Sequence, residues 1–294
     1  MTVLSAINEA LHEQMAKDDK IVVFGEDVGF EGGVFRVTKG LQQEFGKKRS
    51  FDSPLAEAAI IGGAVGMAVN GLKPVVEIQF SGFMFPGFNQ IATHVARFRN
   101  RTRGLYTLPM VIRMPYGGGI RALEHHSESL EAMFGQIPGL KVVILSTPFD
   151  AKGLLTAAIK DPDPVIFLEP KRIYRAFKQD VPEKEFEVKI GKAKVVQKGT
   201  DITVVAWGAL VRETQKAIEL LKDDGINVEL IDLRTIQPYD KDAIVESVKK
   251  TGRFLVVHEA YKSFGPGAEL ISTINEEAFL YLEAPPTRLT GFDI

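Results

Sequence analysis

The strongest constraint on the fold is a regular alternation between short apolar runs and longer helical patterns. Five runs in the first part of the chain have the β-branched and aromatic content of buried strands: 21–28, 73–80, 110–115, 141–148 and 164–170. Helical patterns separate them, at about 36–45, 54–70, 87–103, 127–136 and 148–160. Strands that are apolar on both faces and joined by helices predict a parallel sheet of the α/β class.

The same alternation returns after a charged segment at about 171–187, which has no apolar periodicity and is predicted to be an extended crossover. Later strand patterns lie at 201–208, 226–233, 253–260 and 286–291. We therefore predict two doubly wound α/β domains with mainly parallel sheets, at 1–187 and 188–294. The chain ends directly after its last strand pattern, which is abrupt for a domain of this kind.

Several classes of protein are excluded by composition and charge. None of the 294 residues is cysteine, so disulfides, thiolate metal sites, iron–sulfur clusters and a cysteine nucleophile are excluded. A net charge of -2 gives no electrostatic basis for binding nucleic acid or an anionic membrane. The N-terminal pattern is an amphipathic helix containing acids, and no uncharged stretch reaches about 20 residues. The sequence predicts a soluble intracellular protein.

A carboxylate stands at the head of an apolar helical stripe in the segment FDSPLAEAAI, residues 51–60. Ser53 and Pro54 favour a helix that begins at the proline, with Ser53 as its cap. The glutamate of a capping box would then fall at Ala56, so Glu57 is one residue out of place for capping. Its helical neighbours are apolar, and Glu57 is expected to be buried.

Two further segments contain candidate site residues. In EIQFSGFMFPGF, Gln79 and Phe83 follow a strand pattern, where they could bind a planar ring or simply belong to the core. In MPYGGGIRALEHHSES, a triple-glycine loop leads to His125 and His126, with Ser127 as a candidate helix cap. These histidines are either solvated loop residues or proton donors near neutral pH. His258, at a later strand end without an evident acid–base partner, is expected to be structural.

These motifs together resemble the β subunits of the decarboxylating first component of 2-oxoacid dehydrogenase complexes, which are related to transketolase. The resemblance runs from IVVFGEDVG to PTRLTG, essentially the whole chain. Its most specific stretches are GEDVGFEGGVFRVTKGL, FDSPLAEAAIIGGAVGMA, EIQFSGFMFPGFNQI, HSES and DLRTIQP. It implies a thiamin-diphosphate-binding fold followed by a transketolase C-terminal-like domain.

The resemblance also implies cofactors and partners. Enzymes of this family decarboxylate 2-oxoacids with thiamin diphosphate and transfer the acyl group to lipoyl-lysine of a dihydrolipoyl acyltransferase core. They are α2β2 heterotetramers whose α subunit holds the diphosphate and Mg²⁺. The present sequence has no GDG-plus-Asn segment of the kind that carries Mg²⁺ in this superfamily, so activity is expected only with the α subunit. The implied location is the cytoplasm, or the mitochondrial matrix for a processed eukaryotic chain.

Individual residues match family positions. Glu57 matches the glutamate that hydrogen-bonds N1′ of the aminopyrimidine, and Leu55, Gln79 and Phe83 match residues that line that ring. His126, rather than His125, matches the histidine implicated in proton transfer or in reductive acylation of the lipoyl group. Six residues match positions where family members hold a structural K⁺, largely through backbone carbonyls: Leu108, Met110, Val111, Ala158, Asp161 and Asp163.

The sequence leaves alternatives open for the substrate and for the class of protein. EIQFSGFMFPGFNQI and FLEPKRIYR favour a branched-chain 2-oxoacid enzyme, with pyruvate and acetoin dehydrogenases as alternatives. A self-sufficient transketolase-like enzyme and a non-catalytic interaction module are the competing classes. Family members continue roughly a few tens of residues beyond PTRLTG, so the resemblance implies a chain shortened at its C-terminus.

Overall fold

The computed structural model describes the backbone of residues 1–294 and every side chain except that of Lys222. Contacts between Cα atoms divide the chain into two compact units, Met1–Ile190 and Gly191–Ile294. Within the described residues, no helix is both long and apolar enough to cross a lipid bilayer.

The first unit is built on a parallel sheet. Its strands are β1 (Ile21–Gly25), β2 (Ser50–Asp52), β3 (Lys73–Glu77), β4 (Val111–Tyr116), β5 (Lys141–Ile144) and β6 (Val165–Pro170). They lie in the order β5-β6-β4-β3-β1-β2, and each adjacent pair is parallel. Every residue of β1, β4 and β6 is buried, as expected for strands covered on both faces.

Seven α-helices accompany this sheet: α1 (Val3–Lys17), α2 (Leu41–Phe45), α3 (Glu57–Val69), α4 (Phe85–Gln90), α5 (Phe98–Arg101), α6 (Glu131–Gly135) and α7 (Pro148–Lys160). Helices α1 and α7 pack together, and the buried ammonium of Lys152 on α7 binds Glu9 and Glu13 of α1 at 2.7 and 2.8 Å. A buried ammonium requires such partners, because an unpaired charge in a protein interior is costly.

Four predicted helices have different bounds in the structure. The helix predicted at about 36–45 is reduced to α2 (Leu41–Phe45). The helix predicted at 54–70 begins at Glu57, because the Ser53 N–H donates to the Gly25 carbonyl at 2.9 Å and keeps this segment extended beside β1. Ser53 is therefore not the cap. The helix predicted at 87–103 is interrupted by a π-helix at Ile91–Val95. The helix predicted at 127–136 is reduced to α6, and its expected cap, Ser127, instead donates to the Ala122 carbonyl at 3.2 Å.

The second unit has a five-stranded sheet that is parallel except at one edge. Its strands are β7 (Lys194–Gln197), β8 (Ile202–Ala206), β9 (Val228–Asp232), β11 (Phe254–Tyr261) and β12 (Thr287–Gly291), with a short β10 (Thr235–Gln237) after β9. The sheet order is β12-β11-β8-β9-β7, and only β7 runs antiparallel to its neighbour. The helices are α8 (Ala209–Leu220), α9 (Lys241–Thr251) and α10 (Pro266–Ala278). The predicted α/β class with mainly parallel sheets is confirmed.

His258 lies buried in β11, beneath the first turn of α10. Its ring stacks on Trp207, with centroids 5.1 Å apart and planes inclined by 13°. A Cβ atom added to Gly267 would lie 2.8 Å from Nε2 of His258, so glycine is required where the helix passes over the ring. Burial, reinforced by the charge of Arg288, lowers the pKa of this imidazole to about 4.

This histidine should make the stability of the chain depend on pH. Above about pH 6.5 the imidazole is neutral in both the folded and unfolded states. Between about pH 6.5 and 4 only the unfolded state gains the proton, so the free energy of unfolding should fall by about 3 kcal/mol as the pH falls. Urea unfolding across this pH range should show this fall in the free energy of unfolding in the native chain and a smaller fall in His258→Gln. If the free energy of unfolding depended equally on pH in the two proteins, this prediction would be contradicted.

Candidate active site

Glu57 is the first residue of α3 and is 7% exposed. Its side chain makes no hydrogen bond or ion pair within the described part of the chain. The helix begins at Glu57 itself and not at Pro54 as predicted, so the carboxylate lies at the positive end of the helix dipole. A buried carboxyl group without a partner is suited to receive a hydrogen-bond donor from a ligand.

A second carboxyl group lies near Glu57. Glu26 follows β1 directly and is buried. Burial raises the pKa of Glu26, and the negative charges of Glu57 and then Asp27 raise it further. Glu26 was not among the residues predicted from the sequence. Its position directly after a buried strand could have indicated it, because ligands bind at the carboxyl ends of parallel strands.

Gln79 lies next to the loop that follows β1. Its Nε2 donates to Oδ2 of Asp27 at 2.9 Å, and Asp27 adopts a left-handed backbone with φ of 56°. The contact joins the segment after β3 to the segment after β1, which are neighbouring strands of the sheet. Gln79, Asp27 and Glu26 are thereby placed at one edge of the sheet. Leu55, two residues before α3, is 80% exposed.

Phe83 and His126 are in direct contact. Their ring centroids are 5.0 Å apart, and the rings meet edge to face at 76°. Phe80 contacts both, with its centroid 4.7 Å from that of His126 and 5.2 Å from that of Phe83. Nδ1 of His126 is buried and lacks a hydrogen-bond partner among the residues that the structure describes. This nitrogen is thus a second buried polar atom in the region whose hydrogen-bonding capacity is unused.

The loop carrying His126 is held against the segment that carries Phe83. The Glu128 carbonyl accepts hydrogen bonds from the Gly117 N–H and the Ser81 hydroxyl, both at 2.9 Å. A Cβ atom added to Gly82 would overlap the carbonyl oxygen of His125, so only glycine allows this approach. The position of His126 is therefore set by contacts distant in sequence.

A buried ionic network lies at the ends of three adjacent strands. Arg113 of β4 is fully buried and binds Glu169 of β6 through two hydrogen bonds of 2.7 and 3.0 Å. It also binds Glu77 of β3 at 2.9 Å, and the Tyr174 hydroxyl donates to Glu169 at 2.5 Å. Burial alone would lower the pKa of Arg113, but the two glutamates raise it above its ordinary value. Sequence analysis did not predict this network.

The six residues matched to a K⁺ site lie around β4 and the end of α7. Leu108, Met110, Val111 and Ala158 are buried, as backbone ligands would be. The Asp161 carboxylate binds the Lys141 ammonium at 2.6 and 2.7 Å, and the Asp163 carboxylate binds Arg99 at 2.7 Å. Both side chains are thus neutralised by cations. A potassium ion held by backbone carbonyls here stays a prediction.

The site fits part of a nitrogen heterocycle better than it fits a divalent metal. The described residues contain no group of three His, Asp or Glu side chains that could hold a metal ion. The unpartnered Glu57 carboxyl can accept a hydrogen bond or share a proton with a basic ring nitrogen. The half-buried Phe83 offers a ring face for stacking.

Comparison with known proteins identifies both units. Residues 1–176 match the family model described as transketolase, pyrimidine binding domain, and residues 191–294 match transketolase, C-terminal domain. A solved structure described as a split gene transketolase, inactive beta4 tetramer, is similar with a TM-score of 0.80 and 21% identity. The similarity covers 99% of this chain and 89% of the transketolase chain, and at this identity it shows the fold alone.

Relatives with high identity span the whole chain. The pyruvate dehydrogenase E1 component subunit beta of Acholeplasma laidlawii is 67% identical over 294 residues, 100% of this chain and 90% of the relative. The protein of the same description from Bacillus subtilis is 50% identical, with 100% and 90% covered. These relatives do not support the predicted preference for branched-chain substrates. The chain belongs to the family of β subunits of thiamin-diphosphate-dependent 2-oxoacid dehydrogenases, whose domains are shared with transketolase.

Proposed function

We propose that this chain is the β subunit of a pyruvate dehydrogenase and binds the aminopyrimidine of thiamin diphosphate. The observation that carries this proposal is Glu57, a buried carboxyl group with no hydrogen-bond or ion-pair partner among the residues that the structure describes. The names of relatives up to 67% identical support pyruvate as the substrate.

The residues of this chain would control protons and orientation. When bound, thiamin diphosphate supplies the electron sink for loss of CO₂ from a 2-oxoacid. Glu57, a buried carboxyl group at the first residue of α3, would share a proton with N1′ of the aminopyrimidine. Gln79, Leu55 and Phe83 would line the ring and orient it. His126 delivers a proton to one sulfur of the lipoyl disulfide while the other sulfur takes the acyl group.

The proposal includes two partner proteins. An α subunit completes the site in an α2β2 heterotetramer and holds the diphosphate and Mg²⁺. A dihydrolipoyl acyltransferase core presents the lipoyl-lysine that accepts the acyl group. The names of the relatives, each described as the beta subunit of an E1 component, support both assignments.

Substrate preference tests this function. The chain, co-expressed with its α subunit, should use pyruvate with a kcat/KM roughly ten- to hundredfold above that for 3-methyl-2-oxobutanoate, since small apolar groups are discriminated to this extent. The measurement is decarboxylation with an artificial electron acceptor, with acetoin as a third substrate. A higher kcat/KM for the branched-chain acid or for acetoin would overturn the assignment to pyruvate.

A further inference from the structure

Lys171 is a buried cation that the proposed mechanism does not use. It follows β6 directly, begins a short 3-10 helix at Lys171–Ile173, and is only 5% exposed. A buried ammonium is expensive unless nearby groups compensate its charge. The groups that surround its Nζ therefore indicate what this residue does.

The first contact of Lys171 is with the loop that carries His126. Its Nζ donates a hydrogen bond to the carbonyl of Gly117, the first residue after β4. Gly117 has a left-handed backbone, with φ of 79°, and its N–H donates to the Glu128 carbonyl at 2.9 Å. The hydrogen bond between Gly117 and Glu128 thus joins the two ends of the segment 117–128. Lys171 contacts these joined ends from the side of β6.

The second contact is with the aromatic ring behind His126. Nζ of Lys171 lies 5.6 Å from the centroid of Phe80, within the range of a cation–π interaction. Phe80 is buried and meets His126 edge to face, with 4.7 Å between centroids and 69° between planes. The ammonium therefore helps to hold the ring against which the imidazole of His126 rests.

We propose that Lys171 is a positioning residue for His126 in acyl transfer to the lipoyl group. Its ammonium group holds both the joined ends of the segment 117–128, which carries His126, and the ring of Phe80, on which the imidazole rests. Glu57 begins α3, a different element, and takes part in neither of these two contacts. The inference rests on the role proposed above for His126.

The test separates the two halves of the reaction in the α2β2 enzyme. Decarboxylation is followed with an artificial electron acceptor, and acyl transfer is followed with an isolated lipoyl domain. Lys171→Met should slow acyl transfer roughly ten- to hundredfold, the cost of a displaced reactive group, with little effect on decarboxylation. Amide exchange in 117–128 should become faster. Lys171→Arg, which retains a cation and a donor, should recover part of the acyl-transfer rate.

Two further variants make the outcomes distinct. Lys249→Met removes a cation that also lies over a ring, 5.7 Å from the centroid of Tyr281, and should change neither rate. If His126→Gln slows acyl transfer but Lys171→Met does not, the inference is overturned and the proposed function stands. If His126→Gln leaves acyl transfer unchanged, the role of His126 fails and the inference with it. An equal loss of both rates in Lys171→Met would show a structural role only.

Discussion

Glu57→Gln is expected to reduce decarboxylation by the assembled enzyme by about 10²–10⁴-fold, the usual contribution of a positioned acid–base group. Glutamine has nearly the same shape as glutamate but cannot share a proton with N1′. Assembly with the α subunit and thermal stability should be retained, because the side chain has no hydrogen bond or ion pair to lose within the described part of the chain. The rate is measured on the purified heterotetramer with saturating thiamin diphosphate.

A matched control and a stability measurement separate this role from a structural one. Glu246→Gln makes the same chemical change on the exposed face of α9 and should leave the rate unchanged. If Glu57 only complemented the dipole of α3, the substitution would cost up to about 1 kcal/mol of stability and leave turnover intact. Normal turnover with lower stability would therefore refute the proposed role of Glu57.

Arg113→Met is expected to lower the free energy of unfolding by about 3–5 kcal/mol, the range found when one member of a buried ionic group is removed. Methionine fills most of the volume but leaves Glu77 and Glu169 buried without a cation. Both carboxyl groups must then be protonated in the folded state or remain charged at high cost. Urea unfolding at neutral pH gives the loss directly.

Arg99→Met provides the control for this substitution. Arg99 also binds a carboxylate through two contacts of 2.7 Å, to Asp163, but it lies at the surface. Solvated pairs of this kind contribute about 0–1 kcal/mol, so the same change should have a small effect. Similar losses for the two variants would contradict the account of the buried network.

The fold was largely predictable because buried strands impose continuous apolar runs on the sequence. The runs at 21–28 and 164–170 contain β1 and β6, and the run at 110–115 covers β4 except for its last residue, Tyr116. Strands β2, β7 and β10 were missed because they have only three or four residues and lack the longer apolar run that marked β5. The start of α3 was misplaced because Ser53 bonds to the neighbouring strand, a contact that local propensity does not include.

The site was predictable only in part. Glu57 was a candidate because it is an acid in an apolar stripe, and the separate roles of Phe83 and His126 followed from the family resemblance, but the contact between these two rings was not predicted. The Arg113 network could not be predicted, because its partners lie 36 and 56 residues away and meet through the pairing of strands. Lys171 could not be distinguished in the sequence from the other charged residues of the segment at about 171–187. Its contacts with Gly117 and Phe80 are seen only in the structure.

The central claim is that this chain supplies Glu57 to a site completed by a second subunit. The most direct test measures release of labelled CO₂ from carboxyl-labelled pyruvate by the chain alone, by the α subunit alone, and by their mixture, each with thiamin diphosphate and Mg²⁺. We expect release only from the mixture, and release slower by about 10²–10⁴-fold when Glu57→Gln replaces the native chain. Full turnover by the chain alone, or by a mixture containing Glu57→Gln, would contradict the account.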